Sequence, residues 1–219
     1  MLKKTRSFTL DKDTEKAMVE EARKDPAAFG AIFEAYYHKI LSFSIYRTMN
    51  VEIARDITSE TFFKALKNLW QFKWAGAPFS SWLYRIASNE IKMYYRHHKY
   101  EPSSLEEAIE EHKMPELSSK KDLEEEIMKA QEKFDENGEL AAVLKALKEL
   151  PEKYQEVIIL RFYQEMKLEE IAAVLNTKEG TIKSLLSRGL RMLKGKPAVQ
   201  PFMGSGILQS KELLAKEVK

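Results

Sequence analysis

Apolar side chains recur along most of this chain at the three- and four-residue spacing of an α-helix. No window alternates apolar and polar residues in the way that a half-buried strand does. Only 8 Gly and 7 Pro occur among 219 residues, which disfavours a protein built from many strands and turns. Because hydrophobic residues make up 44% of the chain, the helices can bury real cores. The sequence therefore predicts an all-α fold with essentially no sheet.

The predicted helices form two domains on either side of an acidic segment. Aromatic residues are frequent in residues 21–100 and nearly vanish in 101–138, where glutamates accumulate, and helical periodicity returns in 139–196. Pro102 and Pro115 interrupt the acidic segment and Asn137-Gly138 ends it, which is typical of a linker. One helix is predicted within it, from Lys121 to Phe134. Residues 1–20 form an N-terminal lead and residues 197–219 a C-terminal tail.

Composition excludes several classes of protein. Without cysteine the chain has neither disulfides nor thiolate metal sites. No apolar run approaches the roughly 20 residues that span a bilayer. The segment from Met1 to Lys16 lacks the apolar core of a signal peptide. We therefore expect a cytoplasmic protein with no membrane span. A formal net charge of +2 does not identify a partner, so the distribution of charge matters more.

The C-terminal domain contains a helix-turn-helix pattern between Leu168 and Leu193. A short apolar-periodic helix ends at Asn176, which we expect to adopt the left-handed conformation that terminates helices. On a helical wheel of the following helix, apolar residues and Gly189 form one narrow stripe, while basic and hydroxyl side chains lie opposite. Any small helical domain has a charged helix face. The short turn, together with Gly180 at the helix start, favours DNA binding over that general explanation.

A second two-faced helix is predicted from Trp82 to Lys99, with a polar ridge on its outer side. The ridge consists of Arg85, Asn89, Lys92, Arg96 and Lys99. The preceding segment, Trp70 to Phe79, mixes aromatic rings with lysine, glycine and proline, a composition that suits the stacking of unpaired bases. For single rings such as Phe79 and Trp82, a place in the core is the more common role. Upstream, residues 50–69 combine acids with apolar anchors, which is usually a solvated face but is also suited to a basic partner.

Four segments, taken in order, resemble the bacterial sigma factors of RNA polymerase, in the extracytoplasmic function (ECF) group. DPAAFGAIFEAYY is similar to the start of the family's region two, and ARDITSETFFKAL to its core-binding segment. FSSWLYRIASNEIKMYYR resembles the family's F-x-x-W-L-x-R-I-A-x-N-x-x-x-D-x-x-R helix. LPEKYQEVIILRFYQEMKLEEIAAVLNTKEGTIKSLLSRGLRMLK resembles region four along its whole length. Together these segments cover about Asp25 to Tyr100 and Leu140 to Lys194.

This resemblance implies a dissociable subunit that binds core RNA polymerase, recognises promoter DNA and is a possible target of an anti-sigma factor. Region two would occupy residues 21–100 and region four residues 139–196. The residues implied in core binding are Asp56, Glu60, Thr61 and Phe62. Those implied at the minus-ten element are Phe72, Trp74, Phe79, Arg85, Asn89, Lys92 and Arg96. Those implied at the minus-thirty-five element are Thr181, Lys183, Ser184, Ser187, Arg188 and Arg191. Leu185 departs from the family, which often has arginine there.

Two other classes of function remain open from the residues alone. A stand-alone helix-turn-helix regulator would bind a palindrome tightly without polymerase, although the aromatic segment from Trp70 to Phe79 has no role in it. An enzyme is disfavoured, because the sequence has no HExxH motif, no phosphate-binding glycine loop and no nucleophile elbow. We therefore expect no catalytic residues, no metal and no cofactor.

Overall fold

The computed structural model describes residues 10–74, 76–98 and 138–202, and every regular element within these ranges is helical. The expectation of an all-α fold is confirmed for this part of the chain. The acidic linker with its helix from Lys121 to Phe134, most of the N-terminal lead and most of the C-terminal tail lie outside the described residues.

The described α-helices are α1 (Lys12–Lys24), α2 (Phe29–Thr48), α3 (Val51–Lys67), α4 (Phe79–His98), α5 (Gly138–Lys148), α6 (Glu152–Phe162), α7 (Leu168–Val174) and α8 (Glu179–Lys194). Short 3-10 turns occupy Pro26–Ala28, Leu69–Gln71 and Pro197–Phe202. Local sequence explains several of the boundaries. Asp11 caps α1 by accepting hydrogen bonds from the backbone N–H groups of Asp13 and Thr14, at 3.1 and 2.9 Å. Asn50 caps α3 through the N–H of Ile53 at 3.0 Å.

Packing divides the chain into two compact units. Among the described residues, the first unit combines residues 10–98 with residues 159–179, and so contains α1 to α4, the end of α6 and α7. The second combines residues 138–158 with residues 180–202, and so contains α5, the start of α6 and nearly all of α8. Residues 159–179 thus pack with the first four helices. The continuous domain bounds expected from sequence stay a prediction.

The core of the first unit forms where α2, α3 and α4 pack on one another. Phe62 of α3 is 1% exposed and meets the rings of Phe29, Phe33 and Tyr37 on α2, with centroids 6.4, 4.9 and 6.3 Å away. These offset and edge-on ring contacts hold α3 against α2. Other buried side chains of this unit are Val19, Ile32, Ile40, Phe43, Ile57, Leu83 and Ile91.

In the second unit α8 lies close against α6. A Cβ atom added at Gly189 would lie 3.1 Å from both Ile158 Cδ1 and Tyr154 Cβ. The helix side that carries Gly189 also buries Ile182, Leu186 and Leu193, which confirms the narrow stripe expected from the helical wheel. After α8, an ion pair of 2.8 Å joins Lys196 Nζ to Glu149 Oε2.

Candidate nucleic-acid interfaces

The solvent side of α8 carries all six side chains predicted at the minus-thirty-five element. Ser187 is half-buried, and the other five are exposed: Thr181, Lys183, Ser184, Arg188 and Arg191. Because the apolar stripe holds the opposite side in the unit, this polar side has a fixed outward direction. Arginine can bind a guanine edge through two hydrogen bonds, while lysine and serine bind phosphates. The helix therefore presents suitable groups to a major groove.

The segment before α8 has the geometry of a helix followed by a short turn. Glu170 accepts a hydrogen bond from the backbone N–H of Lys167 at 2.7 Å, which satisfies a donor at the start of α7. Asn176 has φ +50°, so the predicted left-handed cap is confirmed. The N–H of Thr177 donates to the carbonyl of Ala172 at 3.0 Å, which closes the turn. At Gly180 nothing lies within 4 Å of an added Cβ, so the backbone there is open to a close approach.

The polar ridge of α4 divides into two parts in the structure. Asn89, Lys92 and Arg96 are exposed, whereas Arg85 is half-buried. The Arg85 guanidinium donates to the carbonyl oxygens of Val174, at 3.3 Å, and Ala173. Carbonyls at the C-terminal end of a helix lack internal partners and carry partial negative charge, so arginine stabilises them. In this structure Arg85 therefore caps α7, and its contact with DNA stays a prediction.

The aromatic segment before α4 folds into a cluster with buried and accessible rings. Phe72 and Phe79 are 6% and 0% exposed, and their ring centroids are 5.1 Å apart. Trp82 lies 5.4 Å from each of them. Trp74 is half-buried and meets Phe72 edge-on at 4.8 Å. Burial weighs against direct base contacts by Phe72 and Phe79, and leaves Trp74 as the accessible ring of the three predicted.

Two residues of α1 that sequence reasoning missed hold this segment in place. The Arg23 guanidinium donates to the carbonyl oxygens of Leu69, at 3.4 Å from Nε, and Phe72. The Glu15 carboxylate accepts from the backbone N–H groups of Phe79 and Ser80, the first two residues of α4, at 2.9 and 3.0 Å. Glu15 is 3% exposed.

A signal for Glu15 was present in the sequence. Glu15, Val19 and Ala22 follow one another at helical spacing, and all three lie on the buried side of α1. A carboxylate in an apolar stripe requires buried hydrogen-bond donors. The Tyr36 hydroxyl supplies one of them, donating to Glu15 Oε1 at 2.6 Å. Burial and the bond to Glu15 raise the pKa of Tyr36, so its hydroxyl stays protonated.

The residues predicted to bind core polymerase lie on both sides of α3. Asp56 is exposed and Glu60 half-buried, whereas Thr61 and Phe62 are in the core. Partial burial and the nearby charge of Glu52 raise the pKa of Asp56. Lys64 Nζ pairs with Glu60 at 3.1 Å and with Glu90 of α4 at 2.6 Å. Of the four, Asp56 and Glu60 can contact a partner directly, and Thr61 and Phe62 can only hold the helix in position.

No helix within the described ranges is long and apolar enough to cross a membrane. Among the same residues, no group of three or more histidine, aspartate or glutamate side chains could hold a metal ion.

The chain matches two protein-family models, and both describe parts of sigma factors. The model named Sigma-70 region 2 matches residues 32–100, and Sigma-70, region 4 matches residues 140–193. Among curated relatives, the ECF RNA polymerase sigma-E factor of Escherichia coli is 31% identical over 194 residues, which cover 87% of this chain and 96% of that protein. The ECF RNA polymerase sigma factor BldN of Streptomyces coelicolor is 30% identical over 190 residues, which cover 84% of this chain and 66% of that protein.

Solved structures share the fold. CnrH, solved in complex with the cytosolic domain of CnrY, aligns with a TM-score of 0.58 at 21% identity, covering 82% of this chain and 94% of that one. The sigma factor RpoE from Bartonella quintana, solved with the anti-sigma factor NepR, aligns with a TM-score of 0.54 at 23% identity, covering 76% and 94%.

Two sigma-70 regions on an all-helical fold, with a basic helix facing solvent, define a transcription initiation factor. The chain belongs to the ECF family of RNA polymerase sigma factors. It is accordingly a dissociable subunit that directs RNA polymerase to promoters, and the alternative of a stand-alone helix-turn-helix regulator is set aside.

Proposed function

We propose that α8 reads the minus-thirty-five element of promoters by lying in the major groove. The observation that carries this proposal is the outward direction of the polar side of α8, opposite a stripe that is fully buried. Arg188 and Arg191 provide donors for guanine edges, and Lys183 and Ser184 provide contacts to phosphates. Gly180 leaves room for a phosphate at the helix N-terminus, where the helix dipole favours negative charge.

The exposed part of the α4 ridge holds the non-template strand of the minus-ten element. Lys92 and Arg96 neutralise phosphates, and the Asn89 amide can bond to a base edge. Trp74 offers a ring on which an unstacked base can lie, which offsets part of the cost of melting the duplex. The buried rings of Phe72 and Phe79 support this surface from beneath.

The acidic side of α3 docks on core polymerase. Asp56 and Glu60 supply negative charge to a basic partner surface, and electrostatic complementarity of this kind sets orientation and association rate. Phe62 packs α3 against α2, and the buried hydroxyl of Thr61 donates to the Ile57 carbonyl within α3, so the acidic side keeps facing outward.

We further propose that an anti-sigma factor binds this chain, as NepR binds the sigma factor RpoE of Bartonella quintana in their solved complex. In this proposal the chain works in the cytoplasm. It performs no catalysis of its own, because promoter recognition requires only binding and strand separation.

Core binding and transcription by the purified chain test this proposal. The labelled chain is titrated with core polymerase from the same bacterium, and the resulting holoenzyme is assayed by run-off transcription on a library of its genomic promoters. We expect a stable holoenzyme, defined start sites, and only weak, salt-sensitive DNA binding by the chain alone. Absence of transcripts from every template, with tight palindrome binding by the free chain, would refute it.

A further inference from the structure

We infer that Glu15 of α1 is a positioning residue for promoter melting. It caps the N-terminus of α4 and thereby fixes how the aromatic segment before α4 is oriented relative to the polar ridge on α4. This inference rests on the proposed role of α4 at the minus-ten element. Neither the family resemblance nor the predicted site residues include Glu15.

The start of α4 lacks a capping side chain of its own. The residues directly before Phe79 are Gly76, Ala77 and Pro78, none of which has a side-chain acceptor. The first N–H groups of a helix have no partners within the helix. Glu15, 64 residues before Phe79 in the chain, supplies the acceptors. One carboxylate oxygen accepts from the N–H of Phe79 and the other from the N–H of Ser80.

The cap is held in place because the Glu15 carboxylate is buried and accepts hydrogen bonds from both α2 and α4. Glu15 is 3% exposed and Tyr36 is 2% exposed, and the hydroxyl of Tyr36 donates to the same oxygen that Ser80 uses. Three donors on one carboxylate fix its position. The Tyr36 ring also lies 6.2 Å from the Phe79 ring, so the cap and the aromatic cluster are one packed assembly.

This cap affects melting because the two parts of the proposed minus-ten surface lie on either side of the capped start of α4. Upstream lies Gly76, whose φ of +87° marks a sharp turn after Trp74. Downstream lies the ridge on α4. A helix N-terminus normally attracts a phosphate, and here the chain's own carboxylate occupies that place. DNA phosphates therefore bind at Lys92 and Arg96, and the turn beside Trp74 binds bases.

The experiment compares Glu15→Gln with a matched control, Glu21→Gln, which removes an exposed carboxylate from the same helix. Both are assembled into holoenzyme with core polymerase and assayed on the strongest promoter that the wild-type holoenzyme transcribes. One template is a full duplex and the other carries a preformed bubble over the minus-ten element. Core affinity is measured by fluorescence anisotropy, opening of the duplex by permanganate reactivity, and initiation on the bubble template by the rate of run-off transcription.

We expect Glu15→Gln to leave core affinity unchanged and to slow opening of the duplex by about tenfold, since bonds to a charged acceptor are each worth roughly that factor. On the bubble template, where the strands are already separated, we expect the transcription rate of the Glu15→Gln holoenzyme to return toward that of wild type. Glu21→Gln behaves as wild type on both templates. Equal rates for Glu15→Gln and wild type on the duplex would overturn the inference, as would an equal loss on both templates.

Tyr36→Phe provides a second variant, which decides the matter if Glu15→Gln does not fold. It removes one donor and leaves both backbone bonds of Glu15, so we expect a smaller defect with the same dependence on template. A Tyr36→Phe holoenzyme with no template-dependent defect would overturn the inference. Failure of the wild-type holoenzyme to transcribe would instead refute the proposed function.

Discussion

Gly189 offers a sharp test of how closely α8 lies on α6. In Gly189→Ala the new Cβ would lie 3.1 Å from Ile158 Cδ1, 3.1 Å from Tyr154 Cβ and 3.4 Å from Tyr154 Cδ1. The Ile158 methyl is the end of a flexible side chain and can move. Tyr154 Cβ is attached to the backbone of α6, so relief there requires the helix itself to shift.

Two effects of opposite sign set the expected magnitude. Replacing glycine by alanine inside a helix stabilises it by about 1 kcal/mol. Overpacking a well-filled contact costs about 1–3 kcal/mol, and here the contact that cannot relax is to a Cβ atom. We therefore expect Gly189→Ala to lower the free energy of unfolding of this unit by about 1 kcal/mol.

Gly180→Ala is the matched control, because it lies in the same helix with nothing within 4 Å of the new Cβ. It should be neutral or stabilise by up to about 1 kcal/mol. Amide hydrogen exchange of α8 in the full chain measures both variants and does not require two-state unfolding. We expect faster exchange in Gly189→Ala and equal or slower exchange in Gly180→Ala. If both variants slowed exchange alike, the close packing of α8 on α6 would be refuted.

Three further substitutions test other contacts. Arg188→Ala should weaken binding of promoter duplex by holoenzyme by about 1–3 kcal/mol and relax the preference at one minus-thirty-five position, as measured by competition with single-base variants; unchanged preference at every position would count against its base contact. Asp56→Asn should weaken core binding in a titration without loss of thermal stability, because it removes the repulsion with Glu52 that helps to raise the pKa of Asp56; a drop in thermal stability would contradict this. Arg85→Met removes the cap on the α7 carbonyls and should increase hydrogen exchange at Leu175 and Asn176 in the free chain, whereas unaltered exchange would mean that Arg85 does not hold α7.

Local periodicity was sufficient to predict α8. The stripe of Ile182, Leu186, Gly189 and Leu193 lies within one helix, so spacing alone determines which side is buried. The left-handed cap at Asn176 was predictable for the same reason, since it depends on residue type and position at a helix end.

Long-range partners were not predictable from a single sequence. Arg85 belongs to a regular polar ridge, and nothing local distinguishes it from Asn89 or Lys92; its carbonyl partners lie 88 and 89 residues away. Phe72 and Phe79 have the residue type that suits base stacking, but their burial depends on how the segment folds back onto Trp82. Glu15 finds its donors only when α1 meets α4.

In the proposed function, this sigma factor reads two promoter elements with two separate helices, α4 and α8. Selection of promoters from a randomised library by the reconstituted holoenzyme, followed by sequencing of the transcribed templates, tests this most directly. We expect two enriched elements at a fixed spacing. Arg188→Ala should relax the preference at the upstream element only, and Glu15→Gln should slow opening without changing the sequence of either element. A single palindromic element, or relaxation of the downstream element by Arg188→Ala, would refute the proposed function.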